Sequence, residues 1–92
     1  MIASFRCRET ERLWIEGHSR RWSGISKAAL KKLAMIEAAD QLEDLRAPPG
    51  NRLEALKGNR TGQFSIRVND QWRLCFRWQD GQALGVEIVD YH

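Results

Sequence analysis

The sequence predicts an α+β domain, with N-terminal helices packed on one face of a small, mainly antiparallel sheet. Three observations carry this prediction. Apolar residues recur at helical spacing before position 45, they alternate with polar ones after position 63, and Ala47-Pro48-Pro49-Gly50 separates the two regimes. At 92 residues the chain can bury one modest core, so residues 1–92 are expected to form one domain.

At the N-terminus, Ile2 to Phe5 reads as a short strand, and Glu9 to Glu16 as a short helix stopped by Gly17. Ala29, Leu30, Leu33 and Ile36, with Lys27, Lys31, Lys32 and Glu37 between them, predict the main amphipathic helix over about 26–41. Asp40-Gln41-Leu42-Glu43 has the form of a capping box and would renew the helix until Pro48 and Pro49 end it.

Beyond the break, Phe64, Ile66 and Val68 alternate with Ser65, Arg67 and Asn69, and Trp72, Leu74, Phe76 and Trp78 alternate with Arg73, Cys75 and Arg77. Placing both apolar sets in the core requires an odd connection, for which Asn69-Asp70-Gln71 suffices, and sets Arg67 opposite Arg73. A third strand through Leu84, Val86 and Ile88, joined by Gln79-Asp80-Gly81, would set Glu87 opposite Arg73 and Tyr91 near Asn69. The same parity gathers Arg67, Arg73, Arg77, Glu87 and Tyr91 on the face away from the helices, as a concave polar surface. Trp72, Phe76 and Trp78 share parity with Leu74 and are expected in the core rather than stacked on bases. Trp14 and Trp22 suit packing or a protein interface equally, and Ser19-Arg20-Arg21-Trp22 reads as a solvated basic turn that could touch RNA.

Composition narrows the function classes. Hydrophobic residues at 42% and charged ones at 29% argue against a disordered or fibrous chain. No apolar run approaches the roughly 20 residues of a membrane helix, and the first residues lack a secretory pattern, so a cytoplasmic protein is expected. Cys7 and Cys75 are then expected as reduced packing residues. With His18 and His92 as the two histidines and no C-x-x-C pair, the sequence offers no transition-metal ligand set and implies no cofactor. A net charge of +3 favours an anionic partner. The first fifty residues hold nine Lys/Arg against seven Asp/Glu and the rest six against five, so folding must gather the useful cations.

Leu56-Lys57-Gly58-Asn59-Arg60, then Ser65-Ile66-Arg67-Val68-Asn69-Asp70-Gln71-Trp72-Arg73, then a terminal Asp90-Tyr91-His92 carry a resemblance over nearly the whole chain. This arrangement resembles the HigB toxins of bacterial toxin-antitoxin pairs, within the RelE/ParE superfamily. The resemblance implies a RelE-like fold and a ribosome-dependent mRNA endonuclease that cuts message in the decoding site without a metal. It also implies two partners, the 70S ribosome with its mRNA and a HigA-like helix-turn-helix antitoxin through which any DNA contact would be made.

Metal-free RNA cleavage must activate a 2′-hydroxyl, stabilise a phosphorane and protonate the departing 5′-oxygen. Lys57, Arg67 and Arg73 are the candidates for phosphate charge, and facing guanidinium groups repel unless an anion enters between them. The competing reading is that these cations are solvated or paired, for example Arg73 with Glu87. His92, Tyr91 and Asp90 are the implied proton-transfer and orienting groups, although an arbitrary C-terminal histidine would merely fray. Arg60, Asn69, Gln71 and Arg77 are the expected RNA contacts.

One departure from the family's pattern matters. Many relatives read H-P-L-K-G where this chain reads Glu54-Ala55-Leu56-Lys57-Gly58, so a carboxylate stands where the resemblance implies a histidine that is a candidate for catalysis. Glu54 can serve as a base but cannot supply a cationic imidazole, so the proton roles shift to His92 and Tyr91 or cleavage is weakened. The alternatives are non-enzymatic inhibitors of the same fold, acting on DNA gyrase as the ParE branch does or on ribosome and rRNA assembly. A gyrase binder does not require the terminal Asp90-Tyr91-His92 with Lys57 and Arg73.

Overall fold

A computed structural model describes residues 1–90, so the roles expected of Tyr91 and His92 lie outside the described residues. Helix α1 (Arg8–Glu16) carries Glu9 and Glu11 in its first turn, where they oppose the helix dipole. It stops at Gly17, whose φ of 81° lets its N–H donate back to the Leu13 carbonyl at 2.9 Å. Helix α2 (Ser26–Ala38) buries Ala29, Leu33 and Ile36 along one stripe, as its periodicity predicts.

The main helix ends three residues before the expected Gln41, because Ala39 turns extended and is itself buried. The capping arrangement lies one residue later than Asp40-Glu43. Asp44 Oδ2 accepts the N–H groups of Asp40 and Gln41, each at 3.0 Å, and Glu43 instead pairs with Arg46. The chain then forms a 3-10 turn, Leu42–Arg46, that buries Leu45, rather than a renewed α-helix. After a cis Ala47-Pro48 bond, a second 3-10 turn (Pro49–Asn51) leads to Arg52 in the left-handed region, φ 46°.

The sheet runs β1 (Glu54–Ala55), β2 (Phe64–Arg67), β3 (Trp72–Gln79), β4 (Gln82–Asp90), in that order and antiparallel throughout. Strand β1 has no counterpart among the expected elements, being two residues long with both exposed. The segment expected as a first strand makes two isolated parallel bridges to β4, at Ile2↔Ala83 and Phe5↔Val86.

Between β2 and β3 the pairing follows the expected parity, with Ser65 opposite Cys75 and Arg67 opposite Arg73. Asn69 Oδ1 secures the connection by accepting the N–H groups of Gln71 (2.9 Å) and Trp72 (2.8 Å). Between β3 and β4 the expected pairing is corrected. Gln79 pairs Gln82, so the turn is the two residues Asp80-Gly81, both with positive φ as a tight hairpin requires. A bulge at Gly85, φ 61°, then slips the register again between Arg77↔Leu84 and Cys75↔Glu87. Beyond both slips the faces are those expected but the partners move, with Glu87 opposite Cys75 and Arg73 opposite Val89. Between the slips the faces invert, so Ala83, opposite Trp78, is buried in the core in place of the expected Leu84, which pairs with Arg77.

Leu13, Leu33, Ile36, Leu45, Ile66, Leu74, Phe76 and Val86 are buried between the helices and one sheet face. Trp72 and Trp78 pack against this core, as expected, and Trp22 is buried in it with its ring 5.1 Å from that of Trp72, edge to face. Trp14 is partly buried against the same core. Among the described residues, no helix is long and apolar enough to cross a membrane.

The second sheet face is not the open concave surface expected. Ser65 and Cys75 are fully buried there and Arg73 is only 6% exposed. The chain between α2 and β2 folds across this face, where the Arg52 carbonyl and Glu54 meet Arg73, and Arg60 meets Glu87. Lys57, Arg67 and Asp70 remain more open at the rim of this cover.

Candidate functional site

Two adjoining clefts open at the edge of that cover and share Glu54. The first, about 280 Å³, is lined by Arg52, Glu54, Arg67, Asn69, Asp70 and Arg73. The second, about 310 Å³, is lined by residues 54–57 with Asn59 and Arg60, and so contains Lys57. Folding thus brings together cations that are far apart in sequence.

Arg73 is the most constrained of them. Its Nε donates to Ser65 Oγ at 2.8 Å, its Nη2 to the Arg52 carbonyl at 2.6 Å, and its Nη1 lies 3.9 Å from Glu54 Oε1. Burying a guanidinium is costly unless its donors are met, and the left-handed turn at Arg52 aims a carbonyl at this one. The expected pairing of Arg73 with Glu87 does not form: Glu87 Oε2 accepts Arg60 Nη1 at 3.1 Å and lies 3.8 Å from Arg6. Arg60 also donates to Gln63 Oε1 at 3.0 Å, which pins the turn after Lys57 to the sheet.

Arg67, directly opposite Arg73 in the register, is half-buried and pairs with the exposed carboxylate of Asp70. The anticipated repulsion between the two arginines is therefore divided: one is satisfied inside the protein, the other at the surface. Glu54, about half exposed, lies between the Arg67/Arg73 cleft and Lys57. Asp90 joins Gln71 at 3.2 Å, linking the end of β4 to the connection that holds Asn69. Arg77 is exposed farther along β3, opposite Leu84, and lines neither cleft.

Arg52, Asp70 and Ser65 belong to this arrangement although none of them is among the expected site residues. Asp70, three residues after Arg67 in a turn, is legible as a partner. Arg52 is not, because no sequence pattern announces a left-handed arginine.

Chemically, the first cleft sets Arg52, Arg67 and Arg73 against Glu54 and Asp70, with a lysine one cleft away. Arginine forks can hold two oxygens of a phosphate, and a carboxylate beside them can take a proton from a hydroxyl.

Residues 3–92 match the HigB-like toxin family, described as RelE-like toxin of type II toxin-antitoxin system HigB. Over 66 residues the chain is 55% identical to Toxin HigB-1 of Vibrio cholerae, covering 72% of this chain and 70% of that protein. It is 34% identical over 61 residues to Endoribonuclease HigB of Proteus vulgaris, covering 66% of this chain and 65% of the relative. Among solved structures, a mutant of Escherichia coli YafQ aligns over 98% of this chain and 93% of its own, with TM-score 0.62 and 12% identity. The YoeB-YefM toxin-antitoxin heterotetramer of Staphylococcus aureus contains a chain that aligns over 100% of this one and 98% of its own, with TM-score 0.63 and 19% identity. At these identities the two structures speak to the fold alone.

Proposed function

Because the chain belongs to the HigB-like family, RelE-like toxins of type II toxin-antitoxin systems, we propose that it acts as a ribosome-dependent mRNA interferase in the cytoplasm. A relative of Proteus vulgaris bears the name endoribonuclease, which supports an RNA-cutting activity here. The observation that carries the reading is the cleft itself: Arg67 and Arg73 opposed across β2 and β3, with Glu54 between them and Lys57.

The reaction needs no metal in this reading. The 2′-oxygen attacks the adjacent phosphorus, the 2′-O–P bond forms as the P–O5′ bond breaks, and the products are a 2′,3′-cyclic phosphate and a 5′-hydroxyl. Arg67, Arg73 and Lys57 offset the charge that accumulates on the phosphorane oxygens. Glu54 takes the proton of the 2′-hydroxyl, and His92 or Tyr91 returns one to the 5′-oxygen, with Asp90 orienting them. Arg60, Asn69 and Gln71 position RNA around this centre, and Arg77 contributes at most an outlying phosphate contact. Asn69 and Gln71 also have structural partners, so each serves the RNA with whatever donor or acceptor remains.

A cleft this shallow has little means of reading bases, so the ribosome supplies orientation by presenting the message. A HigA-like helix-turn-helix antitoxin is the proposed neutralising partner, and contact with DNA belongs to it. The burial of Arg73 in internal bonds favours one second reading, in which the arginine is chiefly a structural strut and the protein inhibits gyrase or ribosome assembly by binding. The two readings separate on an mRNA carrying a single 2′-O-methyl group 5′ to the cut. The interferase reading predicts that cleavage at that bond disappears; growth arrest with uncut message supports the binding reading.

A further inference from the structure

Arg73 is only as well placed as the Arg52 carbonyl that holds it, and that carbonyl belongs to the turn after Pro49–Asn51. Asn51 fixes the turn. Its side chain is fully buried, and Nδ2 donates to the Leu45 carbonyl at 3.2 Å and the Ala47 carbonyl at 3.3 Å, both within the same stretch of chain. Its ties to α2 are Oδ1, which accepts Lys32 Nζ at 2.5 Å, and a longer contact of Nδ2 with Met35 Sδ at 3.7 Å. A line of contacts therefore runs from Lys32 through Asn51 and Arg52 to the Arg73 guanidinium.

The choice of lysine needs explaining. Burial lowers its pKa from the ordinary value, and the charges of Lys31 and Arg67 lower it further. A neutral donor would meet Asn51 without opposing two neighbouring cations. A charge kept at some cost beside Arg67 makes sense if an anion enters the cleft.

We propose that Lys32 is a positioning residue of the phosphate site. Its bond to Asn51 fixes the turn that holds Arg73, and its ammonium adds positive charge on the Arg67 side. The inference rests on the interferase reading, deepens it, and gives α2 a part in the chemistry.

The test compares wild type with Lys32→Met, which lacks bond and charge, Lys32→Gln, which lacks the charge and, one atom shorter, weakens the bond, and Lys32→Arg, which keeps both. Cleavage of mRNA on programmed ribosomes is measured against complex concentration, with thermal unfolding alongside. The expected result is a kcat lowered about tenfold in K32Q and further in K32M, with KM changed much less, and most of the loss recovered in K32R. If K32M fails to fold, K32Q and K32R decide. A K32Q protein that cleaves within about twofold of wild type overturns the proposal.

Should wild type itself not cleave, the interferase reading fails while the positioning remains measurable. The Arg73 Nε–H resonance is then compared in wild type and K32M, or K32Q where K32M does not fold. A shifted, faster-exchanging signal upholds the placement of Arg73 through Lys32, and an unchanged one overturns it.

Discussion

Arg67 and Arg73 face each other in register yet differ in everything that sets the effect of removing them. Arg73→Ala strips a bond donor from the buried Ser65 hydroxyl and from the Arg52 carbonyl, and leaves a cavity beneath Glu54. Unmet buried groups of this kind cost about 1–3 kcal/mol each, so chemical denaturation should show Arg73→Ala destabilised by roughly 2–4 kcal/mol. Arg67→Ala loses a surface pair with Asp70 and should change stability by under about 1 kcal/mol. The same curve for both variants would contradict the assignment of Arg73 as the buried member of the pair. Parity makes the two arginines legible as neighbours, since alternation fixes which side chains share a face. It cannot show which one is buried, because that depends on a cover whose Arg52 carbonyl lies 21 residues earlier in the chain than Arg73. The pairing of Arg60 with Glu87 is hidden for the same reason, since the two lie 27 residues apart with the Gly85 bulge between Leu84 and Glu87.

The elements are legible where a long periodic pattern meets a clear stop. α1 and α2 and the three longer strands lie close to their expected limits, Gly17 ends its helix, and Asn69 caps its turn. The misjudged parts are short or depend on backbone signs. A two-residue β1 has no period to detect, and the bulge at Gly85 and the turn at Asp80-Gly81 each alter the count by one. Together they restore the expected faces beyond the bulge, change the partners, and put Ala83 in the core in place of Leu84. The cover formed between α2 and β2 can be probed through its thiol. Burial raises the pKa of Cys75 above the usual 9.0. At Cys7 burial acts in the same direction, but hydrogen bonds from the Thr10 side chain and the Thr10 and Glu9 amides, with Arg21 nearby, bring it below that value. At pH 8 a disulfide reagent should therefore modify Cys7 at least about tenfold faster than Cys75 in folded protein, with the difference lost in denaturant. Since the Cys75 thiol ionises more readily when unfolded, its contribution to stability is intact below pH 9.0 and falls as the pH rises above it. Equal reaction rates in the native state would mean that the cover is open.

In the molecule as a whole, the helices and one sheet face make the core, and the site occupies the edge of the cover over the other face. This division lets the chemistry vary without disturbing the core: Glu54 stands at a rim position, half exposed, where the resemblance implies histidine. The fold class can be read from periodicity alone, and the family from three short motifs. The joining of two clefts at Glu54 cannot, because it depends on the path of residues 47–63, a stretch with little regular structure. The roles of Tyr91 and His92 are proposals drawn from the sequence. If the arginine cleft cuts message presented by the ribosome, primer extension will show it. A defined mRNA, on translating ribosomes or free, is incubated with wild type and with Arg67→Ala. The expected result is a new 5′ end at the decoding site with wild type on ribosomes, little or no cleavage of free mRNA, and a loss of about a hundredfold or more in folded Arg67→Ala. Equal cleavage by the variant would contradict the proposed role of the cleft, and cutting of free message as fast as ribosome-bound message would contradict the dependence on the ribosome.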